Sequence, residues 1–288
     1  MTDKSIKQQE IYKFSGDLSH EKLADVVAVE EPLEIRIEYS PLGLRSQREQ
    51  KGISITMRTP GNDFELAAGF LLTEGIISDA EQVRNIDFCG PASGEMQLRN
   101  TVKVELHPTV TVDLKRLERH FYTTSSCGVC GKTSLEALYV QGQKAINNDQ
   151  FVVQAESLYK LSGALRKQQA VFNQTGGIHA SAAFDIDANI LQIREDVGRH
   201  NALDKLIGHQ LLSLKSPPMS YGIMVSGRAS FELLQKAMMA RSPMLVAVGA
   251  PSSLAVELAE SFNMTLVGFL GGDSFNIYTG AQRIARAC

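Results

Sequence analysis

The sequence predicts an α/β protein, α+β overall, with a strand-rich N-terminal part. Two rhythms carry that prediction. Up to about residue 125, short segments alternate apolar and polar residues, the period-two pattern of half-buried strands. From about residue 126, helical stretches alternate with short, wholly apolar runs, which fits a sheet covered by helices.

The first part contributes strands at Val26–Val29, Leu33–Tyr39, Gly52–Arg58 and Thr101–Leu106. One helix interrupts them at Asn62–Gly75. Asn62 or Asp63 is expected to cap it, Phe64, Leu66, Ala67, Phe70 and Leu71 form its apolar stripe, and Gly75 takes the C-terminal glycine position. Helices are expected next at Ser134–Val140, Ser157–Gln168 and His200–Leu214. The strand Tyr221–Val225 then leads into a helix over Ala229–Ala240. Met244–Val248 leads into a helix over Leu254–Phe262, and the strand Thr265–Phe269 closes the run. This β-α-β-α-β succession argues for a parallel or mixed sheet with helices on its faces. A domain boundary is expected near residue 125, dividing the chain into 1–125 and 126–288.

The chain has 288 residues and a mass of 31.5 kDa, with 43% hydrophobic and 21% charged residues. That is enough to bury a core without disulfides or metal, and it excludes a stapled mini-domain, a disordered tail and a collagen-like fibre. A net charge of −3 gives bulk electrostatics no pull on nucleic acid. The N-terminus mixes charge signs without an apolar run of signal-peptide length, and no stretch reaches the roughly eighteen apolar residues of a membrane span. The expectation is a cytoplasmic protein with no membrane segment, in a compartment where thiols stay reduced.

Two of the four cysteines share one tetrapeptide, Cys127-Gly-Val-Cys130. Thr133 and Glu136 fit a capping box, so a helix should start just after Cys130, with Lys132 beside it. A helix N-terminus and a lysine both favour the thiolate. Gly128 and Gly131 leave room for a second sulfur to approach. Structural zinc would need four ligands, and no second C-x-x-C or paired histidines supply them. A thioredoxin-type redox pair and a nucleophilic thiol carrying a transferred group both fit the tetrapeptide. Two ordinary buried cysteines in a glycine turn would give the same pattern.

Further on, Gly176 and Gly177 precede His179, a pattern that can aim backbone N–H groups at an anion, although a single histidine is more often an ordinary one. The segment 194–205 then packs Asp196, Arg199, His200, Asn201, Asp204 and Lys205 into ten positions. On a helix, His200 and Asp204 are neighbours, as are Asn201 and Lys205. Asp196 is placed to cap that helix, and sequence alone slightly favours a solvated helix face here. Gly/Ser-rich loops follow three successive strands: Ser226-Gly227-Arg228, Gly249 to Ser253, and Phe269-Leu270-Gly271-Gly272-Asp273-Ser274. Such strand ends are where open α/β sheets bind ligands, and the repetition points to a phosphate-bearing one. None matches a P-loop or G-x-G-x-x-G, which disfavours an ATPase or an ordinary dinucleotide dehydrogenase.

The stretches TSSCGVCGKTSLEAL (124–138), TGGIHAS (175–181), REDVGRHNALDK (194–205), SGRASFELLQKA (226–237) and TLVGFLGGDSFNIY (265–278) occur in this order, after GNDFELAAGFLLTEGII (61–77). Together they resemble the formate dehydrogenase accessory sulfurtransferase family (FdhD), over about residues 25–285. The resemblance implies a cytidine-deaminase-like three-layer α/β/α domain after the strand-rich part. It implies a sulfurtransferase that takes persulfide sulfur from a cysteine desulfurase and passes it to the bis-molybdopterin guanine dinucleotide form of molybdenum cofactor, for formate dehydrogenase. Cys127 would carry the persulfide and Cys130 would support it. Phe269, Leu270, Gly271, Gly272, Asp273 and Ser274 match the family's cofactor-binding segment, and Gly271 lies near where many members carry arginine. Arg228 is expected to contact phosphate, since a guanidinium matches its oxygens. The cofactor is bound as substrate, with no permanent metal, and the family implies a homodimer. Deamination is disfavoured: His179-Ala-Ser181 lacks the glutamate of H-x-E, the C-x-x-C comes first, and no proline precedes Cys127. A disulfide oxidoreductase and a non-catalytic cofactor carrier remain the alternatives.

Overall fold

The computed structural model describes residues 4–16, 19–41, 48–92, 94, 96–110, 112, 144–147, 150–214 and 221–286. It opens with an antiparallel hairpin of β1 (Ile6–Phe14) and β2 (His20–Ala28), in which Ile6 faces Ala28 and Phe14 faces His20. Sequence patterning finds only the end of β2, because most of this hairpin is exposed and neither strand alternates cleanly.

β3 (Glu31–Tyr39), β4 (Glu49–Arg58), β5 (Val83–Phe88) and β6 (Thr101–Leu106) form a four-stranded sheet in the order β4-β3-β6-β5. Their alternation decides which face is covered: Leu33, Ile35 and Ile37 of β3 and Val102, Val104 and Leu106 of β6 are fully buried on one side. Against that side lies α1 (Asp63–Thr73). Asn62 and Asp63 do not cap this helix as expected. Asn62 sits in the left-handed region at φ 57° with no side-chain cap, while the Asp63 carboxylate accepts two hydrogen bonds from Arg58, at 2.8 and 3.2 Å. Gly75 takes the expected C-terminal role at φ 70°, and the Ile76 N–H returns to the Leu71 carbonyl.

The second sheet has six strands in the order β13-β12-β11-β10-β8-β9. Its parallel centre is β10 (Gly222–Val225), β11 (Met244–Ala247) and β12 (Thr265–Gly268). Each of these is buried along its whole length, which is why it reads as a short apolar run. β8 (His179–Phe184) and β13 (Asn276–Thr279) flank them antiparallel, and β9 (Ile190–Asp196) pairs antiparallel with β8 at the edge. The short strands β7 (Val153–Gln154) and β14 (Ile284–Ala285) pair with each other.

Helices cover both faces of this sheet. α2 (Ala155–Gln168) buries Leu158, Leu161 and Leu165 in one core cluster with Phe184, Met224 and Val246. A second cluster joins the opposite face to α4 (Arg199–Leu214), α5 (Phe231–Met239) and α6 (Ser253–Ser261), and runs on through α1 to the four-stranded sheet. Between α2 and α4 lies the short α3 (Ala170–Thr175). The expected α/β class is therefore observed. The helix expected at 134–140 and the boundary near 125 lie outside the described residues.

α1 and α4 cross between the two sheets at two glycines. A Cβ on Gly69 would collide with the Asp204 carbonyl oxygen, and one on Gly208 with that of Glu65. Only the absence of both side chains lets the two backbones come so close.

Candidate functional site

Among the described residues, the Gly176–His179 segment and the three Gly/Ser-rich loops reach the same end of the six-stranded sheet. The parallel strands β10, β11 and β12 end there. β8 runs the other way and begins there: Val225 pairs with Ser181, and His179 pairs with Asp196 at the end of β9. Gly268 pairs with Asn276, so the segment 269–274 turns over at this edge as well. The loops are joined by backbone hydrogen bonds. The Gly249 N–H donates to the Gly227 carbonyl at 2.9 Å, and the Phe269 N–H donates to the Gly249 carbonyl at 3.2 Å. The Leu270 N–H donates to Ala247, and the Gly271 N–H to Ser274 at 2.8 Å, so these two donors are used inside the fold.

Of the expected ligand residues, Arg228, Gly272, Asp273 and Ser274 are exposed, Gly271 is half-buried and Leu270 is buried. Phe269 is held at φ 54° with half of its surface exposed. A bulky residue in the left-handed region with an open ring is costly unless it serves a contact. Cys127 and Cys130 lie outside the described residues, as do Lys132, Thr133 and Glu136. Among the described residues, Cys89 is a free, half-buried thiol on the other sheet's loop.

The segment 194–205 is not a solvated face. Asp196, Asp204 and Lys205 are at most 2% exposed and Asn201 is 8% exposed, because α4 is sandwiched between two sheets. Each polar group ties separate elements together. Lys205 pairs with Asp196 at 2.7 Å and donates to the Thr59 carbonyl, while Asp196 accepts from the Thr59 and Gly198 N–H groups. Asn201 donates to the Met57 carbonyl and accepts from Thr56. Asp204 accepts from Thr73 and from Lys236, at 2.8 and 2.9 Å. Arg194 forks onto Glu65, which His209 also contacts at 3.0 Å. These donors hold Glu65 below the usual carboxylate range, against a desolvation that pushes it up.

Two histidines, His200 in that segment and His179 at the start of β8, sit in surroundings that disfavour their charged form. His200 has a buried Nε2 with no hydrogen-bond partner, and desolvation, then the charges of Arg199 and Lys236, push its pKa down to about 4. His179 is likewise lowered, first by desolvation and then by Arg199. Its Nδ1 lies 3.5 Å from the Ser226 hydroxyl, which also accepts from the Ala180 N–H.

Beside this edge is a cleft of about 670 Å3, between α2, α3 and the ends of β8, β10 and β11. Its walls include Leu165, Phe172 and Val248, with Gln169, His179 and Ser226 as polar groups. Gln169 gives no signal in the sequence, since it is one of several glutamines in a polar stretch. Among the described residues, no group of three or more His, Cys, Asp or Glu is placed to hold a metal, and no helix is long and apolar enough to cross a membrane.

Residues 28–285 match the model of the FdhD/NarQ family. The chain belongs to that family. Family relatives include a sulfur carrier protein FdhD from Streptomyces avermitilis, 49% identical over 263 residues that cover 91% of this chain and 89% of the relative. One from Mycobacterium tuberculosis is 48% identical, over 90% of this chain and 92% of its own. One from Saccharolobus solfataricus is 38% identical, over 97% and 95%. The fold of the family member described here matches a crystal structure from Desulfotalea psychrophila, assigned as a formate dehydrogenase accessory protein. The TM-score is 0.72 at 21% identity, covering 97% of this chain and 99% of that one.

Proposed function

We propose that the chain is a cytoplasmic sulfurtransferase serving formate dehydrogenase. Cys127 accepts sulfur from a cysteine desulfurase and delivers it to molybdenum cofactor in its bis-molybdopterin guanine dinucleotide form. The observation that carries this reading is the convergence of three Gly/Ser-rich loops, beside a cleft, at the carboxyl edge of the parallel strands in a member of the FdhD/NarQ family. The curated relatives' designation as sulfur carriers supports the cargo.

In loading, the Cys127 thiolate attacks the terminal sulfur of the desulfurase persulfide. The S–S bond of the donor breaks, the desulfurase cysteine leaves as thiolate, and a new S–S bond forms on Cys127. The thiolate is the nucleophile, so a helix start near Thr133 and the Lys132 charge would both favour the reaction. Cys130 supports Cys127. Arg228, exposed on the first loop, meets phosphate, and the 269–274 segment holds the guanine-dinucleotide end, with Phe269 as an open aromatic surface. The persulfide is already an activated donor, so the protein's main task is to position it. Two copies of the chain act together as a homodimer.

The test is intact-protein mass spectrometry after incubation with a cysteine desulfurase and cysteine. The wild-type protein should gain about 32 Da, one sulfur atom, mapped to Cys127. Cys127→Ala should gain nothing and still bind GDP. Undiminished loading of that variant would sink the assignment.

A further inference from the structure

The β1–β2 hairpin ends in an open edge. Its sheet has two strands: β2 is the one that contacts α3, and β1 has no further strand beyond it among the described residues. An isolated two-stranded hairpin is marginal in water, whereas a sheet of three or more strands with an apolar face is not. The direction of the unused backbone groups follows from the two ends of the ladder. The Ser15 N–H donates to the Ser19 carbonyl and the Val29 N–H to the Ser5 carbonyl, so residues 5 and 15 turn their backbone groups towards their partners across the hairpin. The register between them is unbroken, from Ile6 facing Ala28 to Phe14 facing His20. Alternation then turns the N–H and C=O of Gln8, Glu10, Tyr12 and Phe14 outward. The Glu10 carbonyl is met, among the described residues, only by the side-chain amide of its neighbour Gln9, at 3.3 Å. Neither a proline nor a bulge blunts this edge.

The side chains along the edge are self-complementary in one register. Let Ile11 meet Ile11 of a second copy, antiparallel. Gln8 then lies opposite Phe14, Gln9 opposite Lys13 and Glu10 opposite Tyr12, so no like charges face each other. The outward groups of residues 8, 10, 12 and 14 bond to one another, and Ile11 falls at a non-hydrogen-bonded position, where opposing side chains come closest. Centring the pair on Glu10 instead would set Glu10 against Glu10 and Lys7 against Lys13. Leu23 faces Ile11 within the hairpin and is 37% exposed, so the joined strands carry one apolar row, Leu23-Ile11-Ile11-Leu23. On the other face Tyr12 and Phe14, 63% and 66% exposed, gain Glu10 and Gln8 as cross-strand neighbours. The Glu10 charge is already matched by Lys22 at 2.8 Å.

We propose that two copies of the chain join through their β1 edges, antiparallel and centred on Ile11, into a four-stranded sheet on a two-fold axis. The proposed function needs two copies and does not say how they meet, so this interface goes beyond that reading.

The test is analytical ultracentrifugation of the full-length chain over a concentration series, beside Tyr12→Pro, Ile11→Glu and a chain lacking residues 1–28. Wild type should reach twice its 31.5 kDa. Tyr12→Pro removes an outward N–H and leaves the hairpin's own bonds in place, since an edge strand tolerates proline. Ile11→Glu sets two like charges on the axis. Each change should weaken the dimer by about tenfold or more. If Ile11→Glu disturbs the hairpin itself, the proline variant and the deletion give the same readout. Under oxidised glutathione, Ile11→Cys should form a disulfide joining position 11 of two copies, mapped by peptide mass, whereas Gln9→Cys, which faces Lys13, should not link to itself. A monomeric wild type, a dimer that the deletion leaves as tight, or linkage at position 9 in place of 11 overturns the proposal. Sulfur loading is read separately by mass: a monomer that gains sulfur on Cys127 removes this interface and leaves the proposed function, and a dimer that gains none does the reverse.

Discussion

At the residue scale, Asp196 and Lys205 are both shut away from water, and their pairing is completed by backbone groups of Thr59 and Gly198. A buried pair of this kind is expensive to break from one side, because the survivor is left charged and alone. Asp196→Asn should lower unfolding free energy by about 3 kcal/mol or more, measured by urea denaturation. His200 gives a pH signature. Its pKa is about 4 in the folded chain and 6.5 in an ordinary setting, with Arg199, Lys236, Glu232 and His179 as its charged or titratable neighbours. Above pH 6.5 it is neutral in both states and contributes no dependence. As pH falls from there towards 4, the unfolded chain binds a proton that the folded chain refuses, so stability drops, by up to about 3 kcal/mol. His200→Gln should flatten that part of the curve. An unchanged slope in the variant would assign the loss to other groups.

At the element scale, the crossing of α1 and α4 is the most demanding contact in the fold, since Gly69 and Gly208 each face the other helix's backbone. Gly69→Ala and Gly208→Ala should each cost about 3 kcal/mol or more in chemical denaturation. The double variant should cost less than the sum, because one separation of the helices relieves both clashes. These two helices also explain what was legible in the sequence. The strands β3, β6, β10, β11 and β12 are readable because a strand buried on one face alternates and one buried on both faces is wholly apolar. α4 is buried nearly all round, yet it carries Asn201, Asp204 and Lys205 inward. Polar residues on a helix look like a wet face, and only the tertiary partners from β4, α1 and α5 reveal a satisfied interior. β8 begins at a histidine beside two glycines, so local chemistry disguises it as a loop.

At the scale of the whole molecule, neither core cluster draws a side chain from the β1–β2 hairpin, and the family match begins at residue 28, where that hairpin ends. Removing residues 1–28 should therefore move Tm by only a few degrees, in a scanning-calorimetry comparison with the full chain. A collapse of the main transition would show that the hairpin braces the fold. The candidate site was legible as segments and not as a place. Motifs far apart in sequence, such as 175–181 and 269–274, reach the same edge of the sheet only because β8 runs antiparallel to its neighbour and β13 turns back along β12. Gly249 has a wider consequence. The backbone N–H and C=O of this single residue are hydrogen-bonded to the loops on either side of it, so the three loops share one opening event. Slow amide exchange should consequently report them as a unit: a nucleotide touching only the outermost loop should also retard exchange at Gly249, and Gly249→Pro should uncouple the first loop from the other two.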